Sequence, residues 1–212
     1  MLESSLTTFL EEATARYQET LDQDPEAAAY LADRGIDSQV AHTARLGFTG
    51  SEPLPGHDQF ANHISIPYVT PSGIVAMKFR RGPGAPENGP KYTAPAGQRV
   101  RLYNVTDLAR SGDTVLICEG ELDTVIASHV LEIVPAVGVA GVSQWKPHFP
   151  RMLRGYENVI VCTDNDDKDG TNPGQDLAHR ILESIPRARN VVLPKGMDIT
   201  DYYLAFGAED TR

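Results

Sequence analysis

Thr163-Asp164-Asn165-Asp166-Asp167-Lys168-Asp169-Gly170 follows the short apolar run Asn158-Val159-Ile160-Val161-Cys162 and precedes a helical stretch. Four acids within six positions repel one another. Such a cluster persists at low cost only where solvent, cations or metal ions neutralise it. Asp164 and Asp166 are one residue apart, so on an extended chain they point to the same side. That suits a divalent metal with oxygen ligands. An acidic surface turn, in which Asp and Gly are ordinary residues, is the other reading. The stretch alone does not choose between them, and acids elsewhere in the chain tip the balance towards metal.

Strand and helix alternate outward from this loop. Residues 115–118 are an all-apolar run, as in a strand buried on both faces. A helix over 122–131, a strand over 133–137, the loop 138–141 and a Pro-broken piece over 145–153 follow. Beyond the acidic loop come a helix over 173–185, a strand over 190–193 and a helix over 200–206. This alternation predicts an α/β unit with a parallel sheet spanning 111–212. Residues just past the strands of such a sheet gather at its carboxyl edge. Glu119 and Asp123, then Asp164 and Asp166, then Asp198 therefore converge on one place, with the chemistry to hold one or two Mg²⁺ ions that handle phosphates. His129 reads as a helix-packing residue rather than a base.

Upstream, Leu2, Leu6, Phe9, Leu10, Ala13, Tyr17 and Leu21 recur at helical spacing. Thr8 and Glu11 have the spacing of a capping box inside that pattern. Pro25 opens a second helix that Gly35 ends. Residues 36–45 form a third, capped by Asp37 or Ser38. Leu46-Gly47-Phe48 exits into a loop. From His63 the period changes to two, and Thr70-Pro71-Ser72-Gly73 turns the chain into a return strand over 74–81. Alternation puts Lys78 and Arg80 on one face and Val75, Met77 and Phe79 on the core face. A Gly/Pro loop over 82–90, expected to be mobile, leads to Lys91-Tyr92-Thr93 and to Arg99, Arg101 and Tyr103. Between Lys78 and Arg101 the charges are nearly all positive, with Tyr92 and Tyr103 among them to stack on bases. An anion-binding groove and a solvated basic face are the two readings of this stretch. The natural boundary falls near 110–113, giving an α+β unit over 1–110.

The 212 residues are 41% hydrophobic and 23% charged, the balance of a chain that buries a core. Net charge is -10, which argues against broad non-specific nucleic-acid binding and makes the local basic run more informative. Cys118 and Cys162 each end an apolar run with no second Cys or His at ligand spacing, so no zinc site is expected. No apolar run is long enough to span a bilayer and the first residues do not open a signal peptide, so a cytoplasmic protein is expected, without membrane contact.

Glu119-Gly-Glu-Leu-Asp123, the Asp164-Asn-Asp166 motif and the segment from Pro194 to Gly207 resemble the Toprim domain of primases, topoisomerases and small nucleases. The stretch Tyr30-Leu-Ala-Asp-Arg-Gly-Ile36, the Arg45-Leu-Gly-Phe48 motif, the hairpin and Pro90-Lys-Tyr-Thr-Ala-Pro95 are similar to the catalytic core of DnaG-type primases. That resemblance implies RNA primer synthesis on single-stranded DNA from ribonucleoside triphosphates, with Mg²⁺ or Mn²⁺. It makes Glu119, Asp164 and Asp166 the core metal-binding and catalytic acids, with Asp123 and Asp198 supporting. It places Lys78, Arg80, Arg81, Lys91 and Arg101 along the template and nucleotide groove. Thr200 stands where the family has an acid or Asn, and Asp201 is the candidate substitute. The resemblance also implies a minimal or split primase, of a kind expected in a phage or mobile element, that starts primers poorly without a separate zinc-bearing or helicase partner. A metal-dependent nuclease and a non-catalytic single-stranded DNA or nucleotide binder are the alternatives.

Overall fold

Leu10, Ala13, Tyr17 and Leu21 are buried along one stripe of helix α1 (Ser4–Gln23), the spacing that turns a helix into one wall of a core. The computed structural model describes residues 4–132, 134–166 and 169–211; Leu2, Ile133, Asp167 and Lys168 lie outside them. The chain divides into two units, Met1–Arg99 and Val100–Arg212.

In the first unit the Asp24 carboxylate accepts from Ala27 N–H at 2.9 Å and caps α2 (Pro25–Ala32). Gly35, at φ +75°, lets Ile36 N–H return to the Leu31 carbonyl and close the helix. Asp37 caps α3 (Ser38–Thr43) in the same way, through Val40 N–H at 2.8 Å. Strands β1 (Gly47–Phe48), β2 (His63–Thr70), β3 (Gly73–Arg81) and β4 (Tyr92–Thr93) form an antiparallel sheet in sequence order.

Two local expectations change here. Residues 47–48 are the strand β1 rather than a loop; a Cβ on Gly47 would stand 2.5 Å from the Tyr17 backbone, so glycine lets the strand lie on α1. A register shift between Tyr68 and Val69 leaves Val75 unpaired. Parity changes across the bulge, so Ile74, not Val75, joins Met77 and Phe79 in the core with Leu10, Tyr17 and Phe60. Thr8 lies inside α1 rather than at its cap. Glu11 instead accepts from Ile74 N–H at 3.1 Å and from Arg45 at 2.9 Å.

The second unit is a five-stranded sheet of order β5-β7-β6-β8-β9. The strands are β5 (Leu102–Tyr103), β6 (Thr114–Glu119), β7 (Ala136–Val139), β8 (Asn158–Cys162) and β9 (Ala188–Asn190). All neighbours are parallel except β5, which runs antiparallel to β7. Helices α4 (Glu121–Val125), continued by a π-helical stretch to Leu131, α5 (Phe149–Met152), α6 (Pro173–Ser184) and α7 (Ile199–Thr211, broken at Gly207) complete it. Val115, Ile117, Val137, Val139, Val159 and Val161 supply the sheet side of a core closed by Phe149, Leu153, Leu177 and Ile181. The chain is thus α/β, with a parallel sheet in its second unit.

The division lies before residue 100 rather than near 110. Tyr103 pairs with Gly138, and the Asp107 carboxylate accepts from Ser128 Oγ at 2.7 Å and Ala136 N–H at 2.8 Å. Both bind residues 100–110 to β7. The second strand runs later than 133–137, through Gly138. Glycine there marks a close approach rather than a turn, since a Cβ would stand 2.4 Å from Thr124 Oγ1. The last strand ends at Asn190, earlier than expected; Val191 N–H still bonds Val161, but Val191 and Val192 are exposed.

Candidate metal centre

β6 ends in Glu119, Gly120 turns at φ +86°, and α4 begins at once, which puts Asp123 in its first turn. β8 ends two residues before Asp164. Asp198 precedes α7, where its Oδ1 accepts from Asp201 N–H at 2.7 Å. Three acids from three separate stretches meet: one carboxylate oxygen each of Asp123, Asp164 and Asp198 lies within 4.8 Å of the others.

Neutral side chains enforce this convergence. Asn165 donates to the Leu193 carbonyl at 2.6 Å and accepts from Asn172 at 2.7 Å. Its backbone exchanges two hydrogen bonds with the 196–197 turn, Asn165 N–H to Met197 and Gly196 N–H to Asn165. The loop carrying Asp164 is thereby tied to the loop carrying Asp198. Gln175 donates to the Asp164 carbonyl at 3.2 Å. Thr200 donates to Asp123 Oδ1 twice, from its backbone at 3.1 Å and its hydroxyl at 2.7 Å. Gly174 sits so close that a Cβ would stand 2.2 Å from the Asp164 carbonyl and 2.9 Å from Glu119 Oε2.

Burial, then the charges of Asp198 and Asp164, pushes the Asp123 carboxyl well up, while the Thr200 donors pull it down. Glu119 stands beside this trio and accepts from Asp164 N–H. Burial first, with Asp123 and Asp166 adding, raises its carboxyl to about 7. Its Oε2 is buried with no hydrogen-bond partner. Asp166 is half-buried and outside the 4.8 Å group. Asp201 is exposed and outside it too, and Thr200 enters the site as a hydrogen-bond donor to Asp123. Cys162 lies near the trio, its thiol pushed up to about 12 by burial and by the three aspartates. His129 is outside the group.

These residues fit a hard divalent cation. One carboxylate oxygen from each of three aspartates, all within 4.8 Å of one another, is the hard oxygen donor set that Mg²⁺ or Mn²⁺ would take. Crowded carboxylates with raised proton affinity and an orphaned buried oxygen are what a cation relieves. The residues that sequence reasoning missed are Asn165, Gly174 and Gln175. Only the Asn165 position between two acids hinted at a role.

The basic residues divide between the units. Lys78 is half-buried, its ammonium 4.6 Å above the Tyr92 ring. Arg80, expected to line an open groove, is 7% exposed and bonded to Tyr30 and Tyr92. Arg81 donates to the Glu87 and Gly89 carbonyls and pins the 82–90 loop. Lys91 is exposed. Arg101 is half-buried and belongs to the second unit, whereas the other four belong to the first. Tyr103, 4% exposed in β5, is a packing residue and has no face for a base.

Residues 116–203 match the Toprim-like family. The Gene 57 protein of Mycobacterium phage D29 is 33% identical over 151 residues, covering 69% of this chain and 93% of that protein. The DNA primase of Halalkalibacterium halodurans is 25% identical over 187 residues, 84% of this chain but 31% of that protein. The RNA polymerase domain of Mycobacterium tuberculosis primase DnaG superposes with a TM-score of 0.79 at 21% identity, over 99% of this chain and 82% of that one. This chain belongs to the family of that phage protein. It has the fold of DnaG-type primase catalytic cores, and the acidic trio lies within the residues matched as Toprim-like. The core spans about a third of the length of the curated DNA primases it matches. No helix among the described residues is long and apolar enough to cross a membrane.

Proposed function

We propose that this chain is the polymerising core of a DNA primase, joining ribonucleotides on a single-stranded DNA template with Mg²⁺ or Mn²⁺. The observation that carries the reading is the convergence of Asp123, Asp164 and Asp198 at the carboxyl edge of the Toprim sheet, in a fold shared with primase cores. In this reading Asp123, Asp164 and Asp198 hold the cation, and Glu119 and Asp166 complete its surroundings. A bound divalent ion would neutralise triphosphate charge and lower the proton affinity of an attacking hydroxyl. Glu119, with a carboxyl near 7 and a bare Oε2, is matched to take up a proton at neutral pH. Thr200 orients Asp123 and favours its ionised form against the burial that opposes it. Lys78, Arg80, Arg81, Lys91 and Arg101 contact template or nucleotide phosphates. The proposed partners are the template strand, ribonucleoside triphosphates and a separate zinc-bearing or helicase component that strengthens initiation.

One incubation tests this: labelled ribonucleotides, Mg²⁺ or Mn²⁺, and single-stranded DNA, with and without a preformed primer. Extension products are expected. A shortened template would instead make the chain a nuclease, and a mobility shift without chemistry would make it a binding module.

A further inference from the structure

No Asp or Glu stands between Glu132 and Glu157, yet that stretch carries Lys146, Arg151 and Arg154 in a chain of net charge -10. Arg151, Met152 and Arg154 lie at the end of α5 and just past it, and all three are exposed, Met152 by 42%. Neither guanidinium has a hydrogen bond or an ion pair among the described residues. A third, Arg187, reaches the same turn from the residues before β9. Its Nε donates to the Tyr156 carbonyl at 2.9 Å and its Nη2 to the Leu153 carbonyl at 2.7 Å. Those bonds fix Arg187 against the turn that carries Arg154 and use two of its five N–H donors. Glu157 follows the turn, exposed, and no ion pair joins it to the three arginines among the described residues. Like charges gathered on one turn repel, and an anion brought to them relieves the repulsion.

The position of this turn says which anion. Arg154 comes just before β8 and Arg187 just before β9, so both stand at the amino edge of the sheet. The acidic trio stands at the carboxyl edge, and β8 separates the two by about 17 Å at roughly 3.3 Å per residue. A strand reacting at the trio gains nothing from cations at the far edge. Nor is there a platform for bases: Phe149 and Tyr156, the rings flanking the arginines in sequence, are 1% and 7% exposed. The Tyr156 hydroxyl is turned inward and donates to the Leu108 carbonyl at 3.0 Å. Exposed Arg and Met are instead the residues enriched where proteins meet. A guanidinium fork takes the two oxygens of a carboxylate, and a thioether adapts to an apolar side chain.

We infer that the amino edge of the second unit is a docking surface for a partner protein, and that it takes an acidic segment carrying an apolar side chain. Carboxylates of that segment meet Arg151, Arg154 and the unused donors of Arg187, and its apolar side chain covers Met152. The surface goes beyond the proposed function and does not depend on it. Because it lies across the sheet from the acidic trio, the partner can stay bound while the metal centre is occupied.

The test is binding to the full chain without metal or turnover, with three labelled probes. The first is the peptide Glu-Asp-Glu-Leu-Glu-Asp-Phe-Glu, the second is the same peptide with Ser in place of Leu and Phe, and the third is oligodeoxythymidylate. The first peptide should bind more tightly than the second. Arg151→Glu combined with Arg154→Glu should weaken it about tenfold or more, the loss expected when charge pairs at an interface become repulsive. Met152→Ser should weaken the first peptide and leave the second unchanged. Oligodeoxythymidylate should bind the double variant as it binds the original chain. Failure of the first peptide to bind, equal affinity for both peptides, or undiminished binding by the double variant would make the turn a solvated basic face and overturn the proposal. An equal loss with the oligonucleotide would make it a nucleic-acid surface, and a dimer in sedimentation that the double variant dissociates would make its occupant a second copy; either overturns it. If the double variant does not fold, the Arg151 and Arg154 Nε–H resonances of the unmodified chain must shift as the first peptide is titrated, and no shift overturns the proposal equally. Primer synthesis is not the readout, so the surface and the proposed activity stand or fall separately.

Discussion

Thr200 places two hydrogen bonds on a single oxygen of Asp123, across 77 residues of sequence, at 2.7 and 3.1 Å. A neutral residue thus orients the most buried acid of the trio. Thr200→Val keeps the shape and the backbone bond but removes the hydroxyl. Divalent-cation affinity should fall about tenfold, at the low end for an outer-shell partner of a metal ligand. Thr200→Ser should restore it. Calorimetric titration with Mg²⁺ or Mn²⁺ checks this, and equal affinity in the Val variant would reduce Thr200 to packing.

Asp198→Asn should weaken cation binding by about a hundredfold or more, the loss expected when a direct ligand rather than its support is removed. Asp166→Asn should weaken it less, because Asp166 lies outside the 4.8 Å group. The same titration ranks the two. An Asp166 effect larger than that of Asp198 would move the ion towards Glu119 and Asp166.

Glu119 makes stability without metal depend on pH. Its carboxyl rises from an ordinary 4.5 to about 7, so the folded chain binds that proton more tightly than the unfolded chain. Its contribution is fully present below 4.5 and is lost as pH climbs to about 7. After allowance for partial solvent screening, the loss is about 2 kcal/mol. Glu119→Gln should flatten this part of the profile and melt higher than the original chain at pH 7.5 without metal. Urea denaturation at several pH values reads the difference, and parallel profiles would contradict it.

Gly174→Ala forces a Cβ to within 2.2 Å of a backbone carbonyl at the start of α6. Overpacking of this kind costs about 1–3 kcal/mol. Because the crowded groups are Asp164 and Glu119, cation affinity should fall together with stability. Gly155→Ala, with nothing within 4 Å, serves as the control. A destabilised Gly174 variant with undiminished cation affinity would separate the two effects.

Local signals were enough wherever a residue's neighbours decide its state. The α1 stripe, the Asp24 and Asp37 caps, the hairpin and the apolar runs of β6 and β8 depend on chemistry within a few positions, so periodicity and capping residues disclose them. The topological rule for parallel sheets put acids after three strands at one edge but did not say which of them group: Asp123 and Asp198, expected in support, gather with Asp164, while Glu119 and Asp166 of the expected core stay outside the group. Tertiary contacts decided the rest. Gly138 belongs to a strand because Thr124 packs against it, and Val75 leaves the core because a bulge resets parity. Arg80 is enclosed by Tyr30, 50 residues away. Which carboxylates meet depends on Asn165 tying together two loops about 30 residues apart and on Thr200 reaching Asp123. Linear spacing carries no information about such distances, because they are set by how the packed elements close on one another.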